Sequence, residues 1–465
     1  MTHIKYILIF GLISLFSLQS CFVARNYQQP TVVNEAQYRT DQLPSDSISI
    51  AELSYTELFT DPLLIRHISK GLENNIDIRI AVQQILAAEA YFKQGKAGYL
   101  PSIGASGQVA YQNPSENSPT GAAVGRSLTQ YELSVGASWE ADIWGKIRSN
   151  KRAFEASYLQ TVAAHKVVKT QLIASIASVY YRLLSFDEQL RITEMTIANR
   201  KSSLETTKAL KEAGYVNEVG VKQTEAQLYS AMALLVDIKT NIKLLENTMS
   251  ILLGEAPQSI QRGSLKEQEI LEEVKVGFPV QLLRNRPDVL AAEYKLINAF
   301  ELTNVARSNF YPSLNISANG GLQSLELADL LDANSLFSSA VGSLAQPIFN
   351  GRRVRTQHEV AKVQQEQALL NFKLSILNAG KEVSDALYTF KAAEERIEIK
   401  SREFEAYDLA TGYSEELLNN GLINYLEVIT ARQNALFSQL DLINAQFTQL
   451  NALVEIYRSL GGGWQ

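Results

Sequence analysis

Groups that could do chemistry are few in this sequence. There is one cysteine, Cys21, and there are four histidines, His3, His67, His165 and His358. They are too few and too far apart for a Cys/His metal cluster or a disulfide framework. No serine, histidine and aspartate suggest a nucleophilic triad. The run Gly461-Gly462-Gly463 lies at the extreme C-terminus with no helix to follow, so it is not a phosphate loop. Met1, Met195, Met232 and Met249 give no relay of soft ligands for metal ions. The residues therefore predict no enzyme, no metal and no cofactor beyond what Cys21 can carry covalently.

Cys21 has a setting that gives its thiol a use. Lys5 supplies a positive end, and Ile7 to Leu18 is apolar apart from Gly11, Ser14 and Ser17. That stretch is too short to span a bilayer as a stable helix and reads as a secretory signal over residues 1–20. It ends in Leu18-Gln19-Ser20-Cys21, which resembles the bacterial lipobox. There, a small residue precedes the cysteine that is acylated and becomes the new N-terminus. Each buried methylene contributes about 0.8 kcal/mol, and stable anchoring takes more than one chain, which a lipoprotein cysteine supplies. Phe22, not Asp, follows, consistent with outer-membrane sorting in enterobacteria. The alternative is a signal peptide followed by an incidental cysteine.

The chain around this anchor looks ordinary in bulk. Its 465 residues suggest about three domains at roughly 150 residues each. It is 46% apolar and 20% charged, which excludes disorder and collagen. Net charge is −6, so nucleic acid is not an expected partner. A mean hydropathy of −0.08 is too polar for a bundle of membrane helices. The prolines are more telling. None lies between Pro119 and Pro257, and none follows Pro347, so two long stretches contain nothing to break a helix.

Those stretches belong to a duplication. Gly214-Tyr215-Val216-Asn217 recurs as Gly421-Leu422-Ile423-Asn424, an offset of 207, and Leu253-Gly254 recurs as Leu460-Gly461 at the same offset. Trp144-Gly145 matches Asn350-Gly351 at 206. Tyr99-Leu100-Pro101-Ser102 matches Phe310-Tyr311-Pro312-Ser313 at 211, as Asp77 matches Asp288. A period this long is a duplicated domain, not a solenoid. The organisation expected is a signal peptide (1–20), a lipid-anchored segment (21–73), a first repeat (74–254), an inter-repeat equatorial segment (255–285), a second repeat (286–461) and a tail (462–465). Each repeat has a helix (about 74–98; 286–309), two strands, a long helical stretch (about 146–213; 352–420), a glycine break at Gly214 or Gly421, and a return helix (about 217–253; 424–459). A continuous 146–213 helix would be on the order of 100 Å long. Leu228, Ala231, Leu235, Ile238, Ile242, Leu245, Met249 and Leu252 alternate by three and four, an a/d seam. Leu436, Leu440, Ile443, Phe447, Leu450, Val454 and Tyr457 do the same, one position out of phase with the 207 offset. An ordinary bundle core would also show such stripes; two long proline-free hairpins favour a coiled-coil shaft.

The strands alternate strictly. Tyr131, Leu133, Val135, Ala137 and Trp139 oppose Glu132, Ser134, Gly136, Ser138 and Glu140. Residues about 102–112 and 313–323 behave alike, and about 336–347 is noisier. Runs of about ten residues with small polar groups on one face fit tilted transmembrane strands. Tyr99, Tyr111, Tyr131, Trp139, Trp144, Tyr311 and Phe349 lie near run ends, where an aromatic girdle belongs. A soluble four-stranded sheet with one wet face is the alternative. In lipid, four strands cannot close a barrel, so the membrane reading requires oligomers. Two chains give eight strands and a filled interior; three give twelve and a wet lumen, which the polar face fits.

The lipobox, the duplicated unit and the run Leu282-Leu283-Arg284-Asn285-Arg286-Pro287-Asp288-Val289-Leu290-Ala291-Ala292-Glu293 resemble the TolC family, most closely its lipoprotein branch serving RND-type efflux pumps (OprM/CusC/NodT type). Phe310-Tyr311-Pro312-Ser313, Pro347-Ile348-Phe349 and Gly421 with Tyr425-Leu426-Glu427-Val428 match as well. The resemblance implies a mainly α protein with a transmembrane β part. It implies a homotrimer whose twelve-stranded outer-membrane barrel, four strands per chain, continues as an α-helical coiled-coil tunnel through the periplasm. It implies a passive exit duct working with a periplasmic adaptor and an inner-membrane transporter. The family's entrance ring of carboxylates maps to Glu427, six residues after Gly421, while its second acid falls on Thr430. The family's gate tyrosine and arginine positions hold Leu418 and Ile423, so that latch does not carry over. Glu427 as a solvated helix-tip charge, a type I secretion duct, and a soluble periplasmic coiled-coil scaffold are the competing readings.

Overall fold

The structure, a computed structural model, describes residues 23–30, 53–115, 117–119, 122, 127–268 and 286–464. The expected signal peptide, Cys21 and the stretch 269–285 lie outside the described residues. The elements are α1 (Tyr55–Leu58), α2 (Pro62–Asn74), α3 (Ile76–Ala97), β1 (Ser102–Gln112), β2 (Leu128–Ala141), α4 (Lys146–Glu212), α5 (Glu218–Leu252), α6 (Pro287–Ser308), β3 (Ser313–Ser324), β4 (Leu336–Ala345), α7 (Arg353–Asn419) and α8 (Tyr425–Ser459). Among the described residues, no helix is long and apolar enough to cross a membrane.

The duplication is visible as equal lengths. α4 and α7 each have 67 residues, α5 and α8 each 35, and α3 and α6 each 22. The glycines that flank these segments match too. Gly145 and Gly351, Gly214 and Gly421, and Gly254 and Gly461 all have positive φ, a conformation that costs other residues roughly 1–2 kcal/mol. Compactness follows a different division. One compact unit gathers the described residues of Met1–Pro30 with Leu86–Gln160 and Ala292–Phe372; the other gathers those of Thr31–Ile85, Thr161–Ala291 and Lys373–Gln465. Each unit therefore contains parts of both repeats.

The first unit holds one antiparallel sheet in the order β1-β2-β3-β4. β2 of the first repeat pairs with β3 of the second, from Tyr131 with Ser324 to Ala141 with Leu314. β1 and β4 are left as edges. The second strand, expected at about 130–140, runs from Leu128 to Ala141, and β4 ends at Ala345, not 347. The noise in the fourth run has a structural counterpart: Phe337 and Val341 stand in the polar rows, opposite Gly321 and Ser317. Stacked rings hold α3 on the start of α4, Tyr91 against Phe154 and Phe92 against Tyr158.

The second unit holds the main core. Leu64, Ile68, Ile176, Tyr180, Met249, Leu253, Ile456 and Tyr457 are buried together there. The segment expected only to trail from the anchor contains α1 and α2. Asp61 caps α2, its carboxylate accepting from the Leu63 and Leu64 amides, with Pro62 at the first position. The next helix starts at Ile76, not 74, because Asn75 intervenes and accepts from the Asp77 and Ile78 amides. Of the α5 seam, Leu228, Ala231, Ile238, Ile242 and Met249 are buried and Leu235, Leu245 and Leu252 half-buried. Leu228 and Ala231 pack with Ile197 and Leu204, and Ile238 and Ile242 with Leu183. In α8, Ala445, Ala452 and Ile456 are buried in addition to the seam residues Ile443, Leu450 and Val454. The helix is thus covered on two sides, which accounts for the phase shift between the two seams.

The Arg286-Pro287-Asp288 run is explained here. Arg286, 4% exposed, forks onto Asp288 at 2.9 and 2.7 Å. It also donates to Glu382 at 2.9 Å and to the Ser459 carbonyl at the end of α8 at 2.8 Å. Burial alone would raise the Asp288 pKa; the Arg286 fork overrides it and holds the carboxyl below its ordinary value. A depressed carboxylate contributes stability above its unfolded pKa, and the contribution is lost as pH falls through the folded one. Arg286→Met is expected to cost about 2–3 kcal/mol at pH 7, less than a wholly buried pair, because Asp288 and Glu382 keep partial access to water. Chemical unfolding at pH 7 and pH 3 checks this: the difference from wild type should shrink at the lower pH.

Candidate functional site

Two regions carry the predicted functional residues, one in each unit. In the first, the strand register sorts side chains into opposed faces. On one face Ile103 lies beside Ala137 and Ala318, Ala105 beside Val135 and Gly320, and Trp139 beside Ile316. On the other, Ser102, Ser138 and Ser317 form a row, as do Gln108, Glu132 and Gln323. Apolar groups on the first face are left open: Ile103 is 72% exposed and Val109 65%. An exposed apolar sheet face with unpaired edge strands needs both a nonaqueous surrounding and a strand partner.

The expected girdle residues fall at the two ends of the sheet. Tyr111 and Tyr131 are at the loop end; Tyr99, Trp139, Trp144, Tyr311 and Phe349 are at the helix end. They differ in freedom. Trp139 Nε1 donates to the Tyr99 carbonyl at 3.0 Å. Trp144 Nε1 donates to the Pro312 carbonyl at 2.7 Å, and its ring lies 4.9 Å from that of Tyr311. Trp144 therefore clips the strand–helix junction of one repeat to that of the other. Phe349 is 90% exposed.

In the second unit, Gly214 and Gly421 lie in the turns between α4 and α5 and between α7 and α8. Each closes its long helix with a Schellman pair: Tyr215 N–H to Leu210 O and Gly214 N–H to Lys211 O, then Leu422 N–H to Leu417 O and Gly421 N–H to Leu418 O. Asn217 and Asn424 cap the return helices. No atom lies near the place a methyl would take at either glycine, so φ of +81° and +69° is the requirement. Glu427 sits exposed in the first turn of α8, where a carboxylate complements the helix dipole. Thr430 is also exposed and donates to the Leu426 carbonyl at 2.9 Å. Both border one shallow groove with Tyr407 and Ala410.

The sequence reading missed a polar link between the hairpins. Arg200, 5% exposed, donates to the Gln227 carbonyl at 2.5 Å and to Gln433 at 2.7 Å. Burial, then the nearby Arg432, lowers its pKa. Arg432 of α8 donates to Glu415 of α7 at 2.8 Å and to the Ser203 hydroxyl of α4. Together they border a cleft of about 550 Å³ with Phe404 and Asp408. The signal was present: Ile197, Arg200, Leu204 and Thr207 follow 3/4 spacing, so an arginine occupies a seam position of α4.

The family model described as outer membrane efflux protein matches residues 67–255 and 278–462. The chain is 30% identical over 460 residues to the solvent efflux pump outer membrane protein SrpC of Pseudomonas putida, covering 97% of each. It is 26% identical over 455 residues to the cation efflux system protein CusC of Escherichia coli, again covering 97% of each. The MtrE outer membrane channel of Neisseria gonorrhoeae, solved in its open state, superimposes with a TM-score of 0.83 at 24% identity, covering 96% of this chain and 99% of that one.

Arg432→Met should remove the Ser203 and Glu415 bonds and leave the strands untouched. Hydrogen exchange over residues 415–430 is expected to accelerate at least threefold, as losing about 0.7 kcal/mol or more would produce. Unchanged exchange there would show that the link holds nothing.

Proposed function

The chain belongs to the outer membrane efflux protein family and is an outer-membrane efflux channel, and we propose that it is a homotrimeric, lipid-anchored exit duct fed by an adaptor and an RND-type transporter. The observation that carries this reading is the four-stranded sheet with polar rows on one face, apolar rows on the other and both edges unpaired among the described residues. Three such sheets joined β4 to β1 give twelve strands with every backbone group satisfied and a polar lumen. The conduit is passive, and energy enters at the transporter. Relatives of similar identity are named for solvent and for cation efflux, so cargo is assigned by the pump, not by the duct. Those names also favour an efflux duct over a type I secretion duct. Heat-modifiable trimers in outer-membrane fractions and pores in planar bilayers are expected. A protein released by salt alone, without conductance, would overturn the channel. Radiolabelled palmitate should enter the wild type and not Cys21→Ser.

Threefold symmetry brings three copies of Glu427 round the entrance. At an assumed ~6 Å separation in water, each pair repels by about 0.7 kcal/mol, and more in a narrower, drier pore. Such a ring attracts cations. Glu427→Gln is expected to weaken block of single-channel conductance by divalent cations; block of wild-type strength would remove Glu427 from the entrance.

A further inference from the structure

The described residues just after Cys21 are held by a built site. Val23 and Ala24 are buried, at 9% and 8% exposure. Arg25 exposes its side chain, yet both its backbone groups are taken by one side chain. Its amide donates to Asn304 Oδ1 at 3.2 Å, and Asn304 Nδ2 donates back to the Arg25 carbonyl at 3.0 Å. The Asn304 amide thus pairs with the chain as a neighbouring peptide group would. Asn304 is 2% exposed and is itself fixed, donating to Glu301 at 3.2 Å and accepting from Arg307 at 3.4 Å. Arg307 also reaches the Val23 carbonyl at 3.4 Å. Further along, the Tyr27 ring packs edge-on against Phe300 at 5.7 Å. On the other side, a methyl on Gly145 would lie 2.9 Å from Ala24 Cβ. Gly145 follows Trp144, so the strap is gripped at the strand–helix junction.

We propose that Asn304 is a positioning residue for the lipid anchor: it clamps the backbone at Arg25 and so fixes the depth at which acyl chains on Cys21 meet the membrane. Only Phe22 separates Cys21 from Val23, a span of at most about 7 Å. The described strap begins at Val23, beside the strand–helix junction that carries Gly145, so chains attached at Cys21 would start near that end of the sheet, where an interfacial aromatic belt meets lipid headgroups. The clamp reads backbone, not side chains, so it acts on any extended segment that follows the cysteine. This inference rests on the lipidation reading, and the experiment separates the two.

The purified full-length trimer is treated with trypsin, and cleavage after Arg25 is followed by mass spectrometry, with palmitate labelling and heat stability of the trimer measured alongside. Wild type should resist cleavage there. Asn304→Leu should be cut at least tenfold faster, with labelling and trimer stability unchanged; Asn304→Asp, which keeps only the acceptor, should fall between. Arg307→Gln, which frees the Val23 carbonyl, should also speed cleavage and serves if the leucine variant yields no trimer. Equal rates in wild type and variants, or rapid cleavage of the wild type, would overturn the clamp. Loss of palmitate labelling in the wild type would instead overturn the lipid reading and leave the protection at Arg25 standing.

Discussion

A strand edge in hydrocarbon has nothing to bond to. That single constraint governs the molecule. β1 and β4 present rows of backbone donors and acceptors with no strand partner among the described residues, and each unsatisfied group in lipid costs several kcal/mol. A sheet of four strands cannot curl enough to meet itself. Copies of the chain must therefore complete one another, and the rest of the fold works from that requirement: an apolar outer face, a polar inner one, and junctions clipped so that neighbouring edges meet in register.

Much of this was legible in the sequence because periodicity and turn chemistry are local. Positive-φ glycines at 214 and 421 follow from Gly-x-x-Asn before a 3/4 stripe, and the strands follow from period-two alternation. α2 was legible in principle, since Asp61-Pro62 is a cap followed by a first-turn proline. The phase shift between the two seams was not, because it depends on α8 being covered on two sides, and a single helix cannot announce its second neighbour. The Arg200 and Arg432 link was missed for a related reason. An arginine in a seam position is visible, but its partners, Gln227, Gln433, Ser203 and Glu415, come from all four helices of the two hairpins.

The predicted site residues divide by what fixes them. Glu427 owes its exposed place to its own helix start, and it was singled out by the family resemblance at six residues after Gly421. Trp144 was singled out by its position near a strand end, and the structure adds that its indole N–H donates to the Pro312 carbonyl of the other repeat. Asn304 carried no signal at all in sequence. An asparagine within a helix is unremarkable until a segment some 280 positions earlier lies against it.

The equal lengths of the paired elements have an evolutionary consequence. With 67 and 35 residues in each long hairpin, and with Arg432 of α8 bonded to Ser203 of α4, the two hairpins share one axial ruler. A deletion in one copy would slide its seam and its arginine partners against the other. Gain or loss of helix turns is then permitted only as matched events in both copies, in whole seven-residue steps that keep the stripe in place. Descendants of the duplication would drift freely in composition while their lengths stayed locked together.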